Sequence, residues 1–267
     1  MLERGLADSR SQAQRFVMAG QVRVDGQVVL KPSTHIPPEA QIEIDQGPPF
    51  VSRGGEKLEA ALATFYLNVS GWVCADVGAS TGGFTDCLLQ NGARRVYAID
   101  VGQGILHWKL RQDSRVVVME GTNARYLHQL PEPVDLVTVD ASFISLKILL
   151  PVVKAWFKLA SPGFPSGERV EAAEREGGRV VALIKPQFEA GRAEVKRGGG
   201  VIRDPAVHRQ VLLEVLNHAR QEGYRVAGLM RSPLLGPKGN VEFLGYFVYP
   251  GLGVEEVGEL VEQVISQ

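Results

Sequence analysis

The sequence predicts an α/β protein in which a largely parallel sheet carries helices on both faces and follows a small α+β domain. The first observation is that apolar runs of strand length recur from residue 72 onwards and mostly alternate with helical patterns. The second is a glycine-rich turn at residues 78–83, between the first of these runs and a helix. The third is a helix pattern followed by a hairpin pattern within residues 1–46.

The composition sets limits on the class of protein. The chain of 267 residues is 45% hydrophobic and 22% charged, which is typical of soluble proteins. The formal net charge of −1 argues against a globally basic nucleic-acid binder, so any RNA-binding surface must come from local clusters of arginine and lysine. Cys74 and Cys87 lack the spacing of a zinc site and are typical of buried thiols in a reduced compartment. We expect no bound metal.

The sequence shows no pattern typical of a signal peptide or of a membrane span, and we therefore predict a cytoplasmic protein. The most apolar long segment, residues 143–160, is interrupted by three lysines and contains Pro151, so we interpret it as a helix of a soluble protein. The N-terminal residues contain no apolar run of the signal-peptide type. We therefore expect no membrane contact, and the oligomeric state stays open.

The first domain is predicted from a short helix and a small sheet. Ser9 and Gln12 form a capping box for the helix, and Gly20 supplies its stop. The apolar face of this helix consists of Ala13, Phe16 and Val17. Residues 25–26, an Asp-Gly pair, are a strong hairpin signal, and residues 42–44 alternate as a further strand.

The pattern of residues 6–13 and 20–26 resembles the S4-type RNA-binding domain. In that family the helix and the following turn present basic residues to structured RNA, and the resemblance assigns this role to Arg4, Arg10, Arg15 and Arg23. Compared with the family, the sequence begins inside the first helix, which leaves two alternatives open: part of the RNA-binding surface is missing, or the true start of the protein is a different one. The alternative is that these arginines are only a solvated face, because residues 1–50 hold five Lys/Arg against six Asp/Glu.

A stiff Gly-Pro-Pro-Phe segment at residues 47–50 predicts a linker between domain 1–46 and domain 51–267. A helix follows, with apolar residues at helical spacing from Leu58 onwards. Lys57 lies at the start of this helix, where a positive charge does not suit the helix dipole. We infer that Lys57 serves another purpose.

The glycine-rich turn predicts a ligand site. Residues 73–77 form a buried strand, and Gly78, Gly82 and Gly83 let the backbone turn tightly and approach a ligand. The helix that begins near Phe84 points its first N–H groups at that ligand. A second strand ends at Asp100, 22 residues after Gly78, where a carboxylate can accept hydrogen bonds from ribose hydroxyls.

Two nucleotide-binding patterns fit this turn poorly. A dinucleotide fingerprint requires glycine at the position of Ser80, and no P-loop signature follows. Asp76, Gly78, Gly82 and the distal Asp100 instead resemble the first two motifs of class I S-adenosylmethionine-dependent methyltransferases. That resemblance implies a Rossmann-like fold with a largely parallel, seven-stranded sheet.

Further strands are predicted at residues 116–119, 134–140, 179–184, 225–229 and 241–248. Loops at the carboxyl ends of parallel strands line the ligand crevice, so Thr122 and Asn123 are candidates to contact an adenine. We expect residues 161–178 to be a mobile surface insertion and residues 191–204 to be a flexible loop over the same edge.

Two charged residues are predicted to lie at the same crevice. Asp140 and Lys185 each end a buried strand, so they lie at the edge of the sheet that also carries Gly78 and Asp100. Lone charges at strand ends are usually only solvated, and it is their convergence that favours a catalytic role.

Six runs of the sequence are similar to the TlyA haemolysin-like group of FtsJ-like ribose 2′-O-methyltransferases: residues 51–58, 76–85, 122–125, 140–145, 185–189 and 239–242. The resemblance covers essentially the whole chain and implies methylation of a ribose 2′-hydroxyl, with cytidine favoured, in ribosomal RNA or ribosomal subunits. It maps the family's catalytic tetrad onto Lys57, Asp140, Lys185 and Glu242. It implies S-adenosyl-L-methionine as cofactor, bound by Asp76, Gly78, Ser80, Thr81, Gly82, Gly83, Phe84, Asp100, Thr122, Asn123 and Asp140.

Several alternatives stay open. Lys185 is expected at the 2′-oxygen, either as general base or as a cation that steers the oxygen. A non-catalytic RNA-binding or ribosome-assembly factor would have no reason to carry the tetrad intact. A cytolysin would need an amphipathic or membrane-spanning segment, and none is evident in the sequence. A nicotinamide oxidoreductase is disfavoured by Ser80.

Overall fold

The computed structural model describes residues 1–45, 47–158, 177–191, 194, 198–251 and 257–266. Within these residues the chain forms two compact units, Met1–Pro49 and Phe50–Gln267. Phe50 falls in the predicted linker, but its side chain is buried in the core of the larger unit. The predicted insertion at residues 161–178 lies outside the described residues except at its last two positions, and part of the predicted loop at 191–204 does as well.

The small unit consists of one helix and a three-stranded antiparallel sheet in the order β2-β1-β3. Its elements are α1 (Arg10–Met18), β1 (Val22–Val24), β2 (Gln27–Val28) and β3 (Ile42–Ile44). The predicted helix cap at Ser9 and the predicted hairpin turn at residues 25–26 are both confirmed. Ser9 Oγ accepts a hydrogen bond from the Gln12 backbone N–H, and Asp25 and Gly26 both have positive φ angles, of 49° and 80°.

The large unit is built on a seven-stranded sheet in the order β6-β5-β4-β7-β8-β10-β9. Its strands are β4 (Val73–Val77), β5 (Arg95–Asp100), β6 (Val116–Glu120), β7 (Leu136–Val139), β8 (Gly178–Ile184), β9 (Arg225–Arg231) and β10 (Phe243–Tyr249). All strands are parallel except β10, which pairs antiparallel with both neighbours. The predicted class and strand number are confirmed. The predicted alternation with helices is interrupted twice, before β7 and before β10, where, in segments that the structure describes completely, short 3₁₀ turns at Ala124–Tyr126 and Pro237–Gly239 are the only helical elements.

Helices cover both faces of this sheet. They are α2 (Gly54–Thr64), α3 (Gly83–Gln90), α4 (Trp108–Arg111), α5 (Leu146–Val153), α6 (Pro186–Glu189), α7 (Pro205–Gln221) and α8 (Val257–Ile265). One hydrophobic core lies under α5, α7 and α8, and a second lies under α2, α3 and α4. From β4 the chain adds β5 and β6 on one side and then crosses back to add β7 on the other side of β4. At this change of direction a crevice opens at the carboxyl ends of β4, β5 and β7.

The two cysteines are buried in the second core, as predicted, and burial raises the pKa of the Cys87 thiol to about 12. In the part of the chain that the structure describes, no helix is long and apolar enough to cross a membrane. Within the same residues, no group of three or more histidine, cysteine or acidic side chains could hold a metal ion.

Candidate active site

Two adjoining cavities open at the carboxyl ends of the parallel strands. The first, which we call the strand-end cleft, has a volume of about 300 Å³ and lies over β4, β5 and β7. The second, which we call the lysine cleft, has a volume of about 320 Å³ and lies between α2, the end of β8 and the start of β10. Both are lined by Gly78, Ser80, Asp140 and Ser142. Two ligands, one in each cleft, would therefore meet at these four residues.

The strand-end cleft has an apolar wall and a polar rim. Its apolar residues include Val77, Ile99, Ile144 and Leu149. At the rim, Asp100 Oδ2 accepts a hydrogen bond from Ser80 N–H and Oδ1 accepts one from Gly102 N–H, each at 2.8 Å. A carboxylate has about four lone-pair sites, so Asp100 can accept two further hydrogen bonds from a ligand.

Thr122 and Asn123 lie on the wall of this cleft. The Thr122 backbone N–H donates to the Asp100 carbonyl at 2.9 Å, which fixes the loop after β6 to the end of β5. Asn123 Oδ1 accepts from Arg125 N–H at 3.1 Å, so the side-chain oxygen is used locally. The structure thus brings both residues to the place at which the sequence predicted them.

The glycine turn is held by close packing. Gly78 has a φ angle of 82°, and a Cβ atom there would lie 2.6 Å from the Asp140 carbonyl oxygen. Gly82 has a φ angle of 100°, so it allows the tight turn that was predicted, and it also has a packing role. A Cβ atom at Gly82 would lie 2.2 Å from a methyl group of Leu110, so this glycine lets the turn pack on α4, and it lines neither cleft. Ser80, Thr81, Gly83 and Phe84 line the lysine cleft.

Asp76 also lines neither cleft. Its side chain is fully buried and accepts hydrogen bonds from the hydroxyl groups of Thr85, at 2.7 Å, and Thr138, at 3.1 Å. Burial raises the pKa of Asp76 to about 7, against the opposing effect of these two hydrogen bonds. Asp76 therefore ties the first turn of α3 to β4 and β7, and it supports the glycine turn from below.

The four tetrad residues all line the lysine cleft, as two ion pairs. Lys57 Nζ lies 2.6 Å from Glu242 Oε2, and Lys185 Nζ lies 2.5 Å from Asp140 Oδ1. Lys57, Lys185 and Glu242 are each at most 9% exposed. The cleft thus contains two buried ammonium groups, each with its own carboxylate.

Glu242 is the most enclosed member of the tetrad. Its second oxygen, Oε1, lies 3.3 Å from Gln187 Nε2, which donates to it. A Cβ atom at Gly236 would lie 2.0 Å from Glu242 Oε1, so only glycine fits there. The carboxylate is therefore held by Lys57, Gln187 and the backbone of the turn that precedes β10.

Three features of the lysine cleft escaped the sequence analysis. Arg53 lines its wall with an exposed side chain, and the apolar pair of half-buried Leu234 and exposed Leu235 lines it as well. Ser142 Oγ lies 3.1 Å from Lys185 Nζ. For Arg53 and Ser142 the only signal was proximity in sequence, because Arg53 precedes Lys57 and Ser142 follows Asp140 within motifs already identified.

The predicted RNA-binding arginines are all exposed in the small unit. Arg4 differs from the others because its guanidinium donates to the backbone carbonyls of Pro38 and Ala40. Arg23 makes a longer contact, 3.4 Å, with the Gly26 carbonyl. Arg10 and Arg15 lie on α1.

Comparison with known proteins identifies the class to which this fold and site belong. Residues 50–249 match the model of the FtsJ-like methyltransferases, and residues 1–42 match that of the S4 domain. The chain therefore belongs to the FtsJ-like methyltransferase family and carries an S4 domain at its N-terminal end. Within that family it is a member of the TlyA haemolysin-like group, as its relatives show.

One relative is the 16S/23S rRNA (cytidine-2′-O)-methyltransferase TlyA of Mycobacterium tuberculosis, which is 44% identical over 91% of this chain and 85% of its own length. Hemolysin A of Brachyspira hyodysenteriae is 39% identical over 91% of this chain and 95% of its own. A solved structure from Streptococcus thermophilus is 40% identical, with a TM-score of 0.71, and the match covers 99% of this chain and 93% of that one.

Proposed function

We propose that this protein transfers a methyl group from S-adenosyl-L-methionine to a ribose 2′-hydroxyl of ribosomal RNA, with cytidine as the target nucleotide. The observation that carries the proposal is the Lys185–Asp140 ion pair at the junction of the two clefts. A protein that only binds RNA has no need of two buried lysines, each paired with a carboxylate, because buried charges are costly to desolvate.

The strand-end cleft suits the adenosine part of the cofactor. Its apolar wall can hold a purine, and the remaining lone pairs of Asp100 can accept the ribose hydroxyls. Thr122 and Asn123 are placed to contact the purine edge. The residues present therefore fit the cofactor that the family uses. When bound, S-adenosylmethionine supplies a methyl group on a positively charged sulfur, which an oxygen nucleophile can attack in line.

The lysine cleft suits the attacking oxygen. As the 2′-hydroxyl loses its proton, negative charge develops on the oxygen, and the ammonium groups of Lys185 and Lys57 are already in place to stabilise it. An ammonium has no lone pair with which to accept a proton. In this arrangement Lys185 steers and stabilises the oxygen, and the carboxylate of Asp140, which lines both clefts, is placed to take the proton.

The substrate assignment draws on the relatives. The Mycobacterium tuberculosis relative acts on cytidine in 16S and 23S rRNA, by its name, and its match covers 91% of this chain. We extend that substrate to this protein, with ribosomal subunits as partners and the cytoplasm as the place of action. The 2′-hydroxyl distinguishes RNA from DNA, so a 2′-deoxynucleotide at the target must be inert.

The test is methylation of ribosomal subunits from cells that lack the gene, with a radiolabelled methyl donor. Alkaline hydrolysis of RNA requires a free 2′-hydroxyl, so a ribose-methylated position survives as an alkali-stable dinucleotide. We expect the label in such dinucleotides, with cytidine on the 5′ side. Label released as a mononucleotide would mean methylation of a base and would contradict the proposal.

The cofactor site leads to a first prediction. Asp100→Ala should weaken binding of S-adenosylhomocysteine by roughly tenfold to a hundredfold, because hydrogen bonds to a charged group contribute about 1.5–3 kcal/mol. Titration calorimetry measures this directly. Asp113→Ala, which removes a half-buried carboxylate that pairs with Arg115 and lines neither cleft, is the matched control and should leave binding unchanged. Binding of NADH in place of S-adenosylhomocysteine would contradict the assignment of the cleft.

The small unit leads to a second prediction. Replacing Arg10, Arg15 and Arg23 together with alanine should weaken RNA binding and reduce the slope of log affinity against log salt by about two to three, as expected for three lost phosphate contacts. Arg4→Ala should instead lower the stability of the small unit, because this arginine bridges the carbonyls of Pro38 and Ala40. An unchanged slope in the triple variant would show that these arginines are only a solvated face.

A further inference from the structure

Ser142 lies where the two clefts of the active site meet. It lies two residues after Asp140 on the loop that leaves β7, and it lines both clefts. Its hydroxyl oxygen lies 3.1 Å from Lys185 Nζ, which donates a hydrogen bond to it. Among the four residues common to the two clefts, Asp140 and Ser142 are the two whose side chains contact this lysine.

The two contacts together fix the direction of the ammonium group. A lysine ammonium has three N–H donors. One is directed at Asp140 Oδ1, at 2.5 Å, and a second at Ser142 Oγ. Within the described part of the chain, the third has no oxygen acceptor, although the Phe188 ring centroid lies 5.7 Å from Nζ, so an oxygen atom in the lysine cleft can accept from this N–H. Lys57 is less constrained, because among the residues that the structure describes its ammonium donates to a single side chain, Glu242.

The loop that carries Ser142 is anchored at its far end. Ser145 Oγ donates to Glu189 Oε2 at 2.5 Å, and Leu146 N–H donates to Glu189 Oε1 at 2.7 Å. Phe143, next to Ser142, has a φ angle of 65°, which non-glycine residues adopt only when the surroundings impose it. The Phe143 ring packs on Phe188, with 4.9 Å between the centroids. The loop is therefore anchored after Ser142 by Ser145 and Leu146, and before it by the Asp140 N–H, which donates to the Val77 carbonyl at 2.9 Å.

We propose that Ser142 is a positioning residue for methyl transfer, which acts through Lys185. With Asp140, it turns the ammonium so that the free N–H points at the acceptor oxygen where the clefts meet. The proposal rests on the proposed function, since the oxygen in question is the ribose 2′-oxygen. It places the contribution of Ser142 in the chemical step, because the hydroxyl holds a catalytic group and needs no contact with the cofactor.

The test compares Ser142→Ala with Ser142→Thr, which keeps a hydroxyl group. Single-turnover methylation of ribosomal subunits should be about tenfold to a hundredfold slower in the alanine variant, as expected from the loss of a hydrogen bond to a charged group. The threonine variant should recover most of this rate. The KM for the subunits and the affinity for S-adenosylhomocysteine should stay within about twofold of wild type in both variants, as a defect confined to the chemical step leaves binding intact. Ser114→Ala, at an exposed serine away from both clefts, is the matched control.

The outcomes separate this proposal from the function on which it rests. A wild-type protein that transfers no methyl group to ribose in this assay would overturn the proposed function. An active wild type with an unchanged single-turnover rate in Ser142→Ala would overturn only the role of Ser142. A loss confined to KM or to cofactor affinity would also overturn it, because Ser142 would then be a binding residue.

Discussion

Lys185→Ala is expected to slow methyl transfer by about a thousandfold or more. The variant loses both the charge that stabilises the developing oxyanion and the group that orients the 2′-hydroxyl, effects that each contribute on the order of a hundredfold or more. It also leaves Asp140 without its partner at 2.5 Å. Single-turnover assays with ribosomal subunits measure the loss, and titration calorimetry with S-adenosylhomocysteine should show an affinity within about threefold of wild type, since Lys185 does not line the strand-end cleft.

A second lysine in the same unit provides the control. Lys147 forms an ion pair with Glu214 on the surface, at 3.3 Å, and lines neither cleft. Lys147→Ala should therefore retain full activity and nearly full stability, because exposed ion pairs contribute little. Substantial methylation by Lys185→Ala would remove this residue from the mechanism.

Glu242→Gln is expected to lower the free energy of unfolding by about 3 kcal/mol and to abolish activity. The substitution keeps the shape of the side chain but leaves the Lys57 ammonium without its partner in a site where it is 9% exposed. Breaking one side of a buried ion pair costs about 3–5 kcal/mol. Urea denaturation of the full chain measures the change in stability.

The double variant Lys57→Met/Glu242→Gln separates stability from function. Removing both charges should restore most of the stability, because the buried Lys57 ammonium that Glu242→Gln leaves without a partner is then gone. It should not restore methylation, since the cleft then holds one ammonium group. A double variant as active as wild type would show that the Lys57–Glu242 pair has no part in catalysis, and a single variant as stable as wild type would show that the pair is not needed for folding.

The sequence predicted the part of the site that depends on strand ends. Asp140 and Lys185 each follow a buried parallel strand, and parallel strands end at the same edge, so their proximity could be inferred without a structure. The S4 pattern and the glycine turn were likewise local in the sequence. These features depend on short-range backbone preferences and on the alternation of apolar residues.

The position of Glu242 could not be inferred in the same way. It contacts Lys57 across 185 positions of the chain, and it comes just before β10 rather than after a strand. Because β10 runs antiparallel to β8, its first residue, Phe243, pairs with Ile184 beside Lys185, and Glu242 reaches the catalytic edge. A single sequence does not reveal the direction of a strand, so only the family resemblance pointed to Glu242.

The roles of Asp76 and Gly82 show a second limit. Both belong to a motif that signals a ligand, yet Asp76 is bonded to Thr85 and Thr138, and Gly82 makes room for Leu110. The motif marks where the ligand site is built. It does not separate residues that would touch the ligand from those that shape the turn beneath it.

The most direct test of the central claim is mass analysis of ribosomal RNA nucleosides from cells that carry the wild-type gene, no gene, or the Lys185→Ala variant. We expect a 2′-O-methylcytidine at a defined position in the wild type, and we expect it to be absent from the other two strains, because the variant retains the cofactor site but not the group that holds the 2′-oxygen. The account would be contradicted if cells without the gene lost a base-methylated nucleoside instead, or if their 2′-O-methylcytidine signal were unchanged.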